Sequence, residues 1–282
     1  MKTRNSSKPD SDDGQRRLVV LIDADNAQPS VIEGLLAEVA KYGVASVKRI
    51  YGDFTSTRLT QWKQVLLKHS INPVQQFTYT SGKNATDSSL IIDAMDLMYT
   101  ARFDGVCLVS SDSDFTRLAQ RMREEGLIVY GFGERKTPDA FVQACDKFIY
   151  TEVLRADVAP STPAATKSAR PAKTPAKAAD PAQQAKPVTT VSPPKTALKA
   201  TALPLPLELL RRAIEEASDE QGWAHLGTVG SYLTKIRPDF DPRLYGHKKL
   251  SDLLKRHPSH FAVEERGGDG GGGKVFFVRA LD

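Results

Sequence analysis

Cysteine is nearly absent: Cys107 and Cys145 are the only two in 282 residues. One sits in a strand-like run and the other in a helix-like one, so neither a zinc centre nor a disulfide framework is expected. Each reads as a small buried hydrophobe, and a reducing, intracellular compartment fits this usage. Long apolar runs are missing too. No stretch nears the ~20 residues that a membrane span needs. Met1 to Gln15 is polar and charged, unlike a secretory leader or an anchor. A soluble protein with no membrane partner is expected. Two phosphate signatures are also lacking. No GxGxxG follows the first predicted strand and no GxxxxGK(S/T) occurs, which argues against a dinucleotide site and against P-loop hydrolysis; Gly131-Phe132-Gly133 is only a weak phosphate-loop signal. None of the five histidines falls in an acid-bearing motif.

The formal net charge is +5, and its distribution says more than its size. Residues 16–155 carry 17 Lys+Arg and 17 Asp+Glu, residues 203–282 carry 12 of each, and residues 1–15 carry 3 of each. The excess lies in residues 156–202, with 7 basic residues against 2 acidic ones. The basic balance therefore describes a tether, and bulk charge alone makes neither flanking part a nucleic-acid binder.

Among the residues present, one stretch organises the rest: Leu18-Val19-Val20-Leu21-Ile22-Asp23-Ala24-Asp25-Asn26. Five apolar residues, three of them β-branched, predict a strand buried on both faces, which belongs in a parallel sheet covered by helices. Two carboxylates and an amide stand at its tip. Val106-Cys107-Leu108-Val109, followed by Ser110-Ser111-Asp112-Ser113-Asp114, repeats the design. In an open α/β sheet, ligands bind at the carboxyl ends of strands where the strand order reverses, so two acid-tipped strands can meet there. Two carboxylates ~5 Å apart at an effective dielectric of ~20 repel by roughly 3 kcal/mol, which a hard divalent cation such as Mg²⁺ or Mn²⁺ would relieve. Helix capping is the plainer role for Asp114 before Phe115, and for Asp25 or Asn26 before Pro29. Asp23 stands ahead of where a cap would sit.

Helical spacing over Val31 to Tyr42, Leu59 to His69, Ala85 to Tyr99, Phe115 to Glu125 and Pro138 to Leu154 alternates with strand-like runs at Ala45 to Phe54, Ile71 to Thr78, Val106 to Val109 and Leu127 to Phe132. This alternation predicts a doubly wound α/β domain of about five parallel strands over residues 16–155, with Ser81 to Asn84 as a loop and residues 1–15 as a disordered start. Residues 156–202 hold eight prolines, many alanines and lysines, and no aromatic residue. A disordered linker is expected, spanning roughly 40 Å. Residues 203–282 predict helices at Leu207 to Ala217, Val229 to Ile236 and Leu244 to Arg256. A hairpin of Phe261 to Val263 and Val275 to Val278 follows around a glycine-rich loop. Three helices and a hairpin make the winged-helix order, in which the third helix and the wing commonly meet nucleic acid. Arg243, His247, Lys248, Lys249, Lys255 and Arg256 gather in that stretch, as a nucleic-acid contact or as an ordinary solvated face.

The ordered set Leu21-Ile22-Asp23-Ala24-Asp25-Asn26, Gly82-Lys83-Asn84-Ala85-Thr86-Asp87, Ser110-Ser111-Asp112-Ser113-Asp114-Phe115 and Tyr130-Gly131-Phe132-Gly133-Glu134, ending in Ala144-Cys145-Asp146-Lys147-Phe148, resembles the NYN domain, the LabA-like branch of the PIN-like nucleases. Residues 203–280, with Gly222-Trp223-Ala224 and Phe240 to Leu250, resemble an OST-HTH/LOTUS winged helix, an RNA-binding domain often joined to NYN domains. The resemblance implies metal-dependent cleavage of RNA, with Asp23 and Asp112 as principal ligands of Mg²⁺ or Mn²⁺. Asp87 would complete the site, Asp114 would hold a metal or orient the water, and Asn26 would steady the cluster or touch substrate. Such phosphodiester hydrolysis needs no histidine base, because one or two bound metals can supply both the nucleophile and the stabilised leaving oxygen. Lys83, near Asp87, either contacts the scissile phosphate, with Arg135 and Lys136 steering the backbone, or only balances the local acids. A non-catalytic RNA-binding adaptor with a structural acid cluster is the alternative. A haloacid dehalogenase-type phosphatase is disfavoured, since Ala27 stands where that family places a Thr. The oligomeric state is open, a homo-oligomer included.

Overall fold

Strand β1 (Arg17–Asp23) shows why an unbroken apolar run belongs at the centre of a sheet. Side chains alternate across a strand, so Val19 and Leu21 enter one core layer while Leu18, Val20 and Ile22 enter the other. Strand β4 (Gly105–Val109) does the same with Val106 and Leu108 against Cys107 and Val109. The structure, a computed structural model, describes residues 15–77, 85–156, 203–267 and 274–281. The expected disordered start and linker, the Ser81 to Asn84 loop with Lys83, and most of the glycine-rich loop lie outside the described residues. Among the described residues no helix is long and apolar enough to cross a membrane.

With β2 (Val44–Gly52), β3 (Asn72–Gln75), β5 (Ile128–Gly133) and β6 (Lys147–Tyr150), these strands form a six-stranded sheet in the order β3-β2-β1-β4-β5-β6, every pair parallel. Helices α1 (Ile32–Val39), α2 (Trp62–His69) and α6 (Thr151–Ala156) cover one face through Leu35, Trp62 and Leu154. Helices α3 (Ala85–Tyr99), α4 (Thr116–Glu124) and α5 (Asp139–Ala144) cover the other through Ala94, Met122 and Phe141. The order reverses between β1 and β4, which places a switch-point crevice at their carboxyl ends.

One expectation about the sheet needs correction. The stretch Pro138 to Leu154, expected as a single helix, is α5, β6 and α6 in succession. Phe148, Ile149 and Tyr150 are aromatic or β-branched and favour a pleated, half-buried surface. Asp146 starts the strand by exchanging hydrogen bonds with Val129: the Val129 amide donates to the Asp146 carboxylate (2.8 Å) and the Asp146 amide to the Val129 carbonyl (2.9 Å). The result is a sixth strand on β5. Gly131 makes room for it, since a Cβ there would lie 2.4 Å from the Phe148 ring. The weak phosphate-loop signal at Gly131-Phe132-Gly133 is thus a packing requirement inside β5.

The C-terminal part follows the order α7 (Leu207–Ala217), β7 (Ala224–His225), α8 (Leu226–Ile236), α9 (Leu250–Lys255), β8 (Phe261–Arg266) and β9 (Val275–Ala280), with an antiparallel sheet β7-β9-β8. Its core joins Leu210, Ile214, Val229, Leu233, Leu253, Leu254, Phe261 and Val278. The third helix is shorter than expected. Pro242–Tyr245 forms a 3₁₀ turn that ends at Gly246 with φ +80°, a left-handed conformation that breaks the helix before α9 begins.

Both described parts belong to one compact unit. Strand β6 lies at the sheet edge, where unpaired amides invite a partner. The Phe148 amide donates to the Pro238 carbonyl at 2.9 Å, and the Tyr150 hydroxyl donates to Asp239 at 3.1 Å. Arg243 donates to both oxygens of Glu38 at 3.0 and 3.2 Å and to Asp241 at 2.7 Å. Lys41 (2.7 Å) and the Tyr42 hydroxyl (2.8 Å) complete the shell around Glu38. These bonds hold the Glu38 carboxyl far below its usual range, at about 2, although burial alone would raise it.

Candidate metal centre

Asp23 ends β1 and is fully buried. One of its oxygens accepts from the Asp25 amide (3.0 Å); the other accepts from the Asn26 side-chain amide (2.7 Å) and the Ser110 hydroxyl (2.8 Å). Burial nonetheless raises its pKa above the ordinary carboxylate value, the three hydrogen bonds opposing that rise. Ser110, just past the end of β4, also accepts from the Asp112 amide at 3.1 Å. A chain of hydrogen bonds therefore runs from Asp23 through Ser110 to Asp112 and ties the two strand tips together.

Asp112 follows in the loop, and one of its oxygens accepts from the Asp114 amide at 2.9 Å. This caps the 3₁₀ turn Ser113–Phe115 that leads into α4. The cap expected of Asp114 thus falls to Asp112, while Gln28 rather than Asp25 or Asn26 precedes the turn at Pro29. Asp87 reaches the same place from the first turn of α3. That helix is fastened to β2 one and a half turns further on, where Arg49 and the Tyr51 hydroxyl both donate to Asp93. One carboxylate oxygen from each of Asp87, Asp112 and Asp114 lies within 4.8 Å of the others. Asp87 is raised to about 6, first by burial and then by the like charges of Asp23, Asp112, Asp114 and Asp25.

Three oxygens from the loop after β4 and a helix start therefore converge, with Asp23 outside the trio and hydrogen-bonded to Ser110, which supports the Asp112 loop. Glu134, after β5, approaches the same loop through its amide, which donates to the Ser111 hydroxyl at 2.8 Å. The Arg135 amide donates to Glu152 (3.1 Å) and Lys136 pairs with Glu134 (3.0 Å). In the C-terminal part, Lys248, Lys249, Lys255 and Arg256 are exposed and His247 is half-buried. Arg243 is set apart from them by its bonds to Glu38 and Asp241, with a side chain only 17% exposed. The linking role of Ser110 was missed by sequence reasoning. Its signal was a hydroxyl two residues before Asp112 at a strand end, a spacing that lets it accept the Asp112 amide.

An all-parallel sheet in this order, flanked by helices and carrying carboxylates beyond its central strands, is an α/β fold of the PIN-like nuclease type. The NYN domain model matches residues 17–154 and the OST-HTH/LOTUS domain model matches residues 203–272. An NYN domain and an OST-HTH/LOTUS domain are thus the two folded parts of the chain. A comparison with curated proteins finds no match. Among solved structures, an uncharacterized protein from Nitrosomonas europaea is 43% identical over 33% of this chain and 90% of its own, with a TM-score of 0.27. A protein of unknown function from Vibrio parahaemolyticus is 19% identical over 49% of this chain and 94% of its own, with a TM-score of 0.41. A Chromobacterium violaceum protein is 36% identical over 26% of this chain and 77% of its own, with a TM-score of 0.22.

Proposed function

We propose that the chain is a metal-dependent endoribonuclease whose OST-HTH/LOTUS domain holds the RNA being cut. The observation that carries this reading is the convergence of Asp87, Asp112 and Asp114 within 4.8 Å, with the Asp87 carboxyl raised to about 6 by burial and then by the neighbouring aspartates. The donor set fits Mg²⁺ or Mn²⁺. All three are hard oxygens, and oxygens bound at ~2.1 Å to one ion stand at most ~4.2 Å apart, so small rotamer adjustments suffice. When bound, the ion supplies Lewis-acid polarisation of the phosphodiester and eases ionisation of the attacking water.

The chain's own residues do the rest. Asp87, Asp112 and Asp114 would hold the ion, and the outermost of them, Asp114, would orient the water. Asp23 and Asn26 keep the strand tip rigid through the bond to Ser110, which fixes the Asp112 loop. Lys83 contacts the scissile phosphate, while Arg135 and Lys136 steer the backbone. Lys248, Lys249, Lys255 and Arg256, with His247, offer phosphate contacts on the second domain; Arg243 is left to hold the domains together.

Purified full-length protein with Mg²⁺ or Mn²⁺ should cut single-stranded RNA, and EDTA should stop it. Asp112→Asn should lower cleavage by more than the about 100-fold that losing an outer hydrogen-bond partner of a metal ligand costs, with the fold intact by circular dichroism. Cleavage that persists in EDTA would overturn the assignment. A second reading draws on the hydrogen bonds already made by Asp23 and on the cap made by Asp112: an RNA-binding adaptor with a structural acid cluster. It predicts RNA binding without turnover under either metal.

A further inference from the structure

The small antiparallel sheet has one face on its core and one face outward, and the outward face is not what burial alone would select. Ala224 pairs with Val278, and both are buried against the helices. By the period of two, Trp223, His225, Phe277 and Arg279 point the other way, joined from β8 by Glu264 and Arg266. An outward sheet face is ordinarily polar. Here the guanidinium of Arg266 lies 4.9 Å from the Trp223 ring centre and 4.4 Å from that of Phe277. Arg279 lies 5.0 Å from Trp223, and His225 meets Phe277 edge-on at 5.7 Å. The side chains form a ladder of alternating aromatic and guanidinium planes on the surface of the domain.

We propose that this ladder is a stacking platform for the unpaired bases of single-stranded RNA. It rests on the reading that the OST-HTH/LOTUS domain binds RNA, and it assigns the contact to this sheet rather than to the lysines of α9 alone. Bases in a duplex are already stacked, whereas those of a single strand are free to stack on aromatic rings or on arginine planes. Charge agrees with that occupant. Glu264 neutralises Arg266 at 3.1 Å, but among the described residues no carboxylate pairs with Arg279, so the face keeps a positive excess for a polyanion. A structural cation–π ladder would need only the arginine stems to cover the rings. It gives no reason for two aromatic rings to be placed outward in the first place.

The chain supplies its own probe. Its two tryptophans are Trp62 and Trp223; Trp62 is 1% exposed in the first domain, so a base stacking on the ladder is read by Trp223. The experiment titrates full-length protein in EDTA with a mixed-sequence single-stranded RNA and with the matching duplex, following tryptophan fluorescence and the anisotropy of a labelled strand. Expected results are quenching by the single strand and weaker binding of the duplex. Trp223→Ala and Phe277→Ala should each weaken single-strand binding by about 5- to 100-fold. Trp223→Phe should keep most of the affinity by anisotropy, which separates loss of a ring from loss of fold. Arg279→Lys, keeping the charge and losing the plane, should weaken binding as well. Single-strand binding without quenching, and unchanged in the alanine variants, would overturn the platform while leaving RNA binding by the domain intact. Preference for the duplex would also overturn it. A wild-type protein that binds neither form would overturn both readings together.

Discussion

Carboxylates gather at two places in this chain, and they keep opposite company. At the domain contact, Glu38 and Asp241 share Arg243, and Lys41 and Tyr42 close the remaining sites on Glu38, which sits at about 2. At the tips of β1 and β4 the charges acting most strongly on Asp87 are four other aspartates, and its carboxyl stands near 6. The first arrangement is complete in itself: each acid meets a cation of the chain, and the product is a fixed position of one domain on the other. The second concentrates like charge on rigid supports, the fastened helix α3 and the Ser110 link. A protein that can place an arginine next to a buried acid 205 residues away in sequence is under no general constraint to leave acids crowded. The crowding at the strand tips is therefore the feature that bears on function.

The contrast breaks most strongly at Arg243. Removing one partner of a buried ion pair costs about 3–5 kcal/mol because the other charge is left without compensation, so Arg243→Ala should lower the stability of the full chain by that order in urea melts. The variant should separate the domains' transitions or shift a joint one. An unchanged midpoint would mean that the contact does not persist in solution. Next comes pH, and the two clusters should bend the stability curve in opposite directions. Glu38 has a folded pKa below its unfolded value of 4.5, so its contribution is fully present above about 4.5 and lost as pH falls towards 2, roughly 3 kcal/mol in all. Asp87 has a folded pKa above its unfolded 3.8, so its penalty is present above about 6 and is relieved as pH falls towards 4. Metal-free melts from pH 7 to 3 should show stability rising and then falling, with the acid limb flattened in Glu38→Gln. A profile that Glu38→Gln leaves unaltered would remove the interface from the account.

The strand tips were legible because near-continuous apolar runs leave few choices. A five-residue run buried on both faces has to sit centrally in a parallel sheet, and the residues next in the chain have to emerge at its carboxyl end. The two acid-tipped strands marked one end of the sheet as the place for a site, and the resemblance to the NYN domain added Asp87 from its helix start. Three things did not show, the Ser110 link among them. Strand β6 was hidden because a four-residue aromatic and β-branched segment fits a helical spacing as well as a pleat, and only its pairing with β5 decides. The partner of Glu38 was hidden because Arg243 stands in a basic run where charge alone makes it look like its neighbours; which of those cations turns inward depends on the docking of Pro238 and Asp239 on the sheet edge. Asp23 is the intermediate case. Its place at the strand end was readable, but whether its oxygens face a crevice or Ser110 depends on how two strands align.

A smaller effect sharpens the comparison at its other pole. If Asp87 is held ionised against its neighbours, replacing it with an isosteric amide should stabilise the metal-free protein at pH 7. Asp87→Asn should gain about 2 kcal/mol after allowance for solvent screening, and the same substitution should cost cleavage. An acid whose removal strengthens the fold and weakens the activity behaves as a site residue. Loss of stability on Asp87→Asn would instead make it a structural acid like Glu38.

The smallest effect is the most direct. A ligand that binds only the folded state stabilises it by RT ln(1 + [L]/Kd), about 1.4 kcal/mol at ten times Kd, so Mg²⁺ or Mn²⁺ should raise the melting temperature by a few degrees. In Asp112→Asn that shift should vanish, because one of the three converging oxygens is replaced by an amide. In Glu38→Gln it should remain whole, since the interface already carries its own cations and has nothing to offer an ion. The pair of variants asks whether the two acid clusters differ in kind. Retention of the shift in Asp112→Asn would place the ion elsewhere, and loss of it in Glu38→Gln would show that the clusters are coupled through the sheet. A shift confined to the strand tips would mean that the chain compensates one group of acids itself and leaves the other to a divalent cation.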